Sequence, residues 1–297
     1  MAEKEAKKPF DYIGHTWLWF TISAVLLCIG IGALVYNGMN RGSVMNFGID
    51  FTGGTIITVR YQELPSLDQV REKMGNYKLQ KAELQIVGDN DLSIRTEPLE
   101  ETQREKIVSD VLSLGKGGEL LGSDMIGPVI GDELRIQAFW ALIIASVLMT
   151  VYITFRFRFD YAIAAILALF HDAIITTGII ALLWRSIDAS FIAAILTILG
   201  YSINDTIVIF DRVRENLAKP GAGKKPLKDV LNESIRQTMA RSINTVLVVL
   251  FMNAAVLIFG GATLKDFATT LLIGFTLGAY SSIFVASPLL AIWHKGK

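Results

Sequence analysis

The sequence predicts a polytopic α-helical membrane protein with six transmembrane helices and a small α+β domain inserted between the first two. Three observations carry that prediction. Six apolar runs approach or exceed the roughly 20 residues a helix needs to cross a bilayer core. Hydrophobic residues make up 52% of the chain and charged residues only 19%, against roughly 25% charged in ordinary globular chains. A mixed pattern of strands and helices fills the long stretch between the first and second runs.

The amino-terminal tail, residues 1–15, is polar and carries Lys4, Lys7 and Lys8. The first run, Thr16–Tyr36, is too long for the apolar region of a signal peptide and has no A-x-A-like cleavage site. It reads as a retained helix, residues 16–36. Residues 37–134 then form a folded segment, acidic overall, with sixteen acidic against ten basic residues between Asn37 and Glu133. Phe47–Phe51 and Thr55–Tyr61 alternate or run apolar with β-branched residues and read as strands. Ser66 caps a helix over Ser66–Met74 with Asp68 in its first turn. Glu83–Val87 and Leu92–Thr96 form a hairpin across Gly88-Asp89-Asn90-Asp91. Glu100–Leu114 is a charged amphipathic helix stopped by Gly115, and one more strand follows. The order strand, helix, two strands, helix, strand predicts an α+β domain of the ferredoxin-like, split βαβ kind. That architecture hosts many activities, so it implies no function by itself.

The other five runs fall within residues 135–293. They are Ile136–Phe155, Tyr161–Trp184, Ala189–Phe210, Ile243–Phe259 and Phe267–Trp293, the last long enough to tilt or to kink at Pro288. Between the fourth and fifth runs of the chain lies a basic loop, 211–241. It holds a flexible turn at Lys219–Pro226 and a predicted interfacial amphipathic helix over Leu227–Met239. The tail, the Arg156/Arg158 turn, this loop and the carboxyl end, 294–297, carry the Lys and Arg excess. By the positive-inside rule they lie in the cytoplasm, which puts the acidic domain outside. The 28 basic and 28 acidic residues therefore cancel between compartments.

Several classes are excluded. The lone Cys28 forms no internal disulfide, and zero net charge does not suit a dedicated nucleic-acid binder. The sequence offers no metal-ligand cluster, no phosphate-cradling loop and no nucleophile–base arrangement, so neither an enzyme nor a bound cofactor is predicted.

Polar residues inside the apolar runs are the informative ones, since each charge at mid-bilayer costs at least ~2.5 kcal/mol. The third run holds His171 and Asp172, whose side chains leave a helix about 100° apart. The fourth holds Asn204 and Asp205, with Thr197, Tyr201 and Ser202 continuing a polar stripe that must face protein or water. Interhelical hydrogen bonding is the structural reading for His171, Asp172 and Asn204. For Asp205 a functional, proton-carrying carboxylate is the stronger reading. Arg241 opens the fifth run on the same side as Asp205 and is the nearest cation by depth. Its structural reading is a cytoplasmic anchor. Gly274 and Gly278, continued by Ser281 and Ser282, predict close packing against another helix.

Two segments resemble a known family. Phe47-Gly48-Ile49-Asp50-Phe51-Thr52-Gly53-Gly54-Thr55 is similar to the signature that opens the exported domain in the SecD/SecF family of protein-export membrane proteins, on its SecF side. Gly200–Asn216, which includes Asn204, Asp205, Asp211 and Arg212, resembles that family's fourth-helix signature. Phe170-His171-Asp172 and Gln237–Thr245 match as well, and the likeness covers the whole chain. The resemblance implies half of a pump related to resistance-nodulation-division transporters. Such a half pairs with SecD, associates with the SecYEG channel and YajC, and acts on an unfolded secretory chain downstream of SecA. It implies drive by a proton, in some members sodium, gradient, and it points to Asp205 and Arg241 as ion-pathway residues. Protonation of Asp205 is then expected to loosen a pairing with Arg241. A small-solute exporter half of the same superfamily and a purely structural scaffold stand as the other two readings.

Overall fold

A computed structural model describes residues 10–80, 82–88, 90–221 and 225–293. Lys4, Lys7, Lys8, Lys81, Asp89, Lys224, Lys295 and Lys297, which entered the charge reading, lie outside the described residues. Among the described residues, six helices are long and apolar enough to cross a membrane. They are α1 (Thr16–Asn40), α5 (Pro128–Arg156), α6 (Phe159–Leu182), α7 (Ala189–Leu217), α8 (Leu227–Phe259), and α9 (Ala262–Ser281) continued by α10 (Ser287–Trp293). The central helices α6, α7 and α9 bury much of their surface, while α1, α5 and α8 leave most of theirs open. Helices α1 and α6 cross at Gly30 and Gly178, where a Cβ on Gly178 would run into the Gly30 backbone. The glycines at 274 and 278 do the same for α9 on α7, seating against Ile198 and Ser202.

Between α9 and α10 the chain widens into a π-helical turn, Ser282–Ala286. Pro288 explains its position. A proline ring collides with the carbonyl four residues back and supplies no N–H, and a wider turn relieves both problems without a sharp kink. The Ser287 hydroxyl donates to the Ser282 carbonyl at 3.1 Å within this turn.

Residues between α1 and α5 form the α+β domain. Its strands are β2 (Gly54–Arg60), β3 (Glu83–Val87), β4 (Asp91–Thr96) and β5 (Glu119–Ile126), all antiparallel in the order β3-β4-β2-β5. Helices α3 (Leu67–Asn76) and α4 (Glu101–Leu112) connect them. Ser66 and Gln69 cap α3 reciprocally, as the local sequence demands. Alternate residues Ile57 and Val59 of the inner strand β2, and Tyr61 just after it, join Leu92 and Ile94 under Val70, Met74, Ile107 and Val111. The Tyr61 hydroxyl donates to the Val111 carbonyl at 2.6 Å, and burial pushes its pKa up to about 12. The opposite sheet face looks toward the helix ends.

Three expectations are corrected. Phe47–Phe51 is not one strand. It divides into β1 (Asn46–Phe47) and a single-turn helix α2 (Ile49–Thr52), because Asn46–Phe47 pairs in parallel with β6 (Ser186–Ile187) rather than with the main sheet. The loop expected over 211–241 is largely helical, since α7 continues to Leu217 and α8 starts at Leu227, and residues 222–224 of the turn predicted at Lys219–Pro226 lie outside the described residues. Leu227–Met239 is likewise no separate interfacial helix. It is the first part of α8, held against the bundle by buried Val230, Leu231 and Ile235.

Candidate functional site

Asp172 is wholly buried among α6, α7 and α9. Its Oδ2 accepts hydrogen bonds from the hydroxyls of Ser202 (2.7 Å) and Ser281 (2.6 Å). Its Oδ1 lies 3.0 Å from Nδ1 of His171, so the two neighbours, 100° apart on an ideal helix, bend into one polar nest. The Nε2 of His171 is buried without a partner. One turn along, the hydroxyls of Thr206 and Ser282 meet at 2.8 Å. A carboxylate that accepts several hydrogen bonds and touches three helices fixes them relative to one another, which is why burial is tolerated there.

Asp205 sits one turn beyond Ser202 toward the other end of α7 and is 6% exposed. Its Oδ1 accepts from the Ser242 hydroxyl at 2.6 Å, while Oδ2 is buried with no partner. Among the described residues no ion pair joins Asp205 and Arg241. The expected direct pairing is therefore replaced by a hydrogen bond to the residue after Arg241. The Arg241 side chain lines a polar vestibule of about 450 Å³ together with Asp211, Arg212, Glu215, Gln237 and Thr238. Asn204 points out of the bundle and takes no part in either cluster. Thr197 is also exposed and bonds only its own helix, at Ala193.

The remaining signature residues tie α7 down at its two ends. At the far end, Asp211 pairs with Arg156 (3.0 Å) and Arg214 (3.1 Å), and Arg212 donates to Gln237 at 2.6 Å. At the domain end, the Asp50 carboxylate accepts the Ala189 N–H, the first residue of α7, at 2.8 Å. Gly48 donates its N–H to the Ile187 carbonyl at 2.8 Å. Gly53 and Gly54 turn the chain at φ 68° and 131°, values that favour glycine. A Cβ on Gly53 would press on Pro128 at the start of α5. The signature is thus a joint between the sheet domain and the starts of α5 and α7.

Sequence reasoning missed Arg95. From the uncovered sheet face its guanidinium reaches Asn46 Oδ1 (2.7 Å), the Phe47 carbonyl (3.1 Å) and Ser186 Oγ (3.4 Å). The pair Arg185–Asp266 at 3.0 Å, with Asp266 accepting the Ser186 N–H, completes this clasp. A charged residue on the face of a strand opposite its apolar residues gave no distinctive signal, and only the fold shows what it meets.

These features define a class first: a multi-pass membrane protein with two carboxylates in its helical core and an α+β domain clasped to one end of the carrying helix. The chain matches the family described as protein export membrane protein SecD/SecF, C-terminal, over residues 109–296, and the SecD/SecF GG motif over 43–63. It is 40% identical to the protein translocase subunit SecF of Sebaldella termitidis, covering 94% of this chain and 90% of that one. With the SecF of Synechocystis the identity is 37%, over 96% and 94% of the two chains. The crystal structure of SecDF from Thermus thermophilus, a translocon-associated membrane protein, superposes with a TM-score of 0.86 at 32% identity. The match spans 99% of this chain and 40% of that one. A SecDF structure in a super-membrane-facing form gives a TM-score of 0.68 at 31% identity, over 98% and 40%. The chain belongs to the SecD/SecF family of protein-export membrane proteins.

Proposed function

We propose that this chain is the SecF-type subunit of a Sec translocase, which pairs with SecD and uses the proton-motive force to drive late-stage protein export. The observation that carries the reading is Asp205, a buried carboxylate with one unpartnered oxygen beside a polar vestibule. A proton arriving there neutralises the charge without first displacing a salt bridge, so the site can load and release. The loaded helix α7 is the one whose opposite end is bonded to the sheet domain. The exposed stripe Ala193, Thr197, Gly200 and Asn204 on α7 suits close packing against a SecD helix. SecYEG and YajC are the further partners, with SecA acting upstream on the unfolded secretory substrate.

On this reading the α+β domain, ferredoxin-like in strand order, lies outside the cytoplasmic membrane, and both termini lie inside. The basic ends of α5, α7 and α8 gather at the opposite end of the bundle, which supports that orientation. A polar-solute exporter fits less well, because the large void among α5, α6 and α7 is lined mainly by apolar residues.

The test is export of a secretory reporter from vesicles under an imposed proton or sodium gradient. Asp205→Asn keeps the size and the Ser242 bond but cannot titrate, and it should remove the gradient-dependent part of export while leaving insertion and SecD binding intact. Full gradient-dependent export by that variant overturns the reading and favours a scaffold. Drive by sodium alone would keep the subunit assignment and change the ion.

A further inference from the structure

Helices α5, α6 and α7 enclose a slot of about 510 Å³ whose walls are almost wholly apolar. It runs along α5 from Arg135 to Thr150, about 22 Å at helical rise. The chain's own charges give its depth. Arg135 and Arg156 lie 21 positions apart on α5, about 32 Å and so close to the ~30 Å hydrocarbon thickness of a bilayer. Arg135 therefore lies at headgroup level on the domain side, and the slot descends from it through that leaflet, about 15 Å, and past the midplane.

We propose that this slot is a binding site for one acyl chain of an anionic phospholipid, with the lipid phosphate held by Arg135. Size decides against the other membrane occupants. A volume of 510 Å³ over about 22 Å gives a mean cross-section of about 23 Å², room for one extended hydrocarbon chain, whereas a helix about 10 Å across needs roughly 80 Å². A partner helix or a second copy does not enter it. Charge decides the lipid class. Arg135 is the one cation among the lining residues, and its partner is Asp132, three residues back at 2.9 Å, with both side chains about two-thirds exposed. Such a surface pair is weak and exchangeable, and a guanidinium accepts a phosphate in its place through two parallel hydrogen bonds. The lipid would fill the gap that leaves α5 loosely attached to the bundle, beside the joint at Gly53 and Pro128. The inference rests on the membrane placement of the helices and not on proton coupling, so the two fail separately.

The experiment uses the full chain with its SecD partner in phosphatidylethanolamine vesicles doped with phosphatidylglycerol bearing a photoactivatable group at the end of one tail. Labelling should concentrate on the slot faces of α5 and α6. Ala173→Phe fills the slot from α6 and should cut the label about tenfold. Leu142→Trp does so from the loosely packed α5 and guards against a folding failure of the first variant. Arg135→Gln should keep the chain label but lower the preference for phosphatidylglycerol over an equally tagged phosphatidylethanolamine about fivefold. Label spread evenly over α1, α5 and α8 and indifferent to both filling variants overturns the proposal. So does a SecD helix cross-linked within the slot, or a lipid preference unchanged by Arg135→Gln.

Discussion

Asp50→Ala tests whether the domain is driven through α7. Asp50 does not cap that helix alone, because Asp188 accepts the Phe191 N–H at 2.9 Å and remains in the variant. The lost interaction is thus the bridge between domain and helix, not the helix terminus itself. A carboxylate on a first-turn N–H is worth about 0.5–2 kcal/mol, and the exposed position of this one places it near 1 kcal/mol. One proton moving down 100 mV supplies about 2.3 kcal/mol. The bridge is therefore smaller than the driving force but comparable with it, and its loss should reduce coupling about fivefold at unchanged proton flux. Asp50→Asn keeps an acceptor and should fall between the two. The assay reads reporter export and proton uptake together in vesicles, with membrane insertion as control. Wild-type export per proton in Asp50→Ala would refute transmission through this contact.

Three other outcomes follow from the geometry. Gly178→Val places a side chain in the Gly30 backbone and should cost about 1–3 kcal/mol, read as a lower midpoint in detergent unfolding and weaker α1 attachment. Tyr61→Phe removes one donor from the buried Val111 carbonyl, which keeps the Leu114 N–H at 3.0 Å, and should destabilise the sheet domain by about 0.5–1.5 kcal/mol in chemical denaturation. Asp110 is held below the usual carboxylate range by the Tyr77 hydroxyl and then Lys73. A depressed carboxylate stabilises the fold above its unfolded value and loses that contribution as pH falls through its folded value. Asp110→Asn should therefore lower the domain's stability at neutral pH, leave it nearly unchanged in acid, and so flatten the acid limb of the stability profile below about pH 4.

How much of this was legible in the sequence depended on whether local chemistry or distant contact made the choice. The capped helix after Ser66, the hairpin to Thr96 and the apolar helices follow from caps, alternation and length, all of which are local. Phe47–Phe51 has the residues of a strand, but its partner at Ser186 is about 140 residues away, and that pairing ends the strand after two residues. Leu227–Met239 has the charges of a surface helix, yet buried partners across the bundle decide that it continues into α8. In the core, depth and the cost of charge located Asp172 and Asp205. Which hydroxyl meets which oxygen depends on helix rotation, so Ser242 rather than Arg241 as the direct partner of Asp205 was out of reach. Asn204 and Asp205 show the same limit, since adjacent letters face opposite surroundings.

The position of the Asp172 nest gives the arrangement a mechanical sense. Ser202 is where α7 is held most firmly, bonded to Asp172 and, through its carbonyl, to the Ser282 hydroxyl at 3.2 Å. Asp205 lies three residues from that point, about 4.5 Å along the axis, and the Asp50 contact at Ala189 lies thirteen residues away, about 20 Å. A rigid helix that pivots at Ser202 then moves its domain end roughly four times as far as its carboxylate end. The neighbouring π turn at Ser282–Ala286 gives the nest a segment able to shift without breaking an ordinary helical ladder. On the proposed proton coupling, a small adjustment when Asp205 changes charge would reach the joint, where Gly48, Asp50 and Gly53 seat the domain, enlarged about fourfold. On that proposal the family signatures at Gly48–Gly54 and Asn204–Arg212, far apart in sequence, are the two ends of one lever.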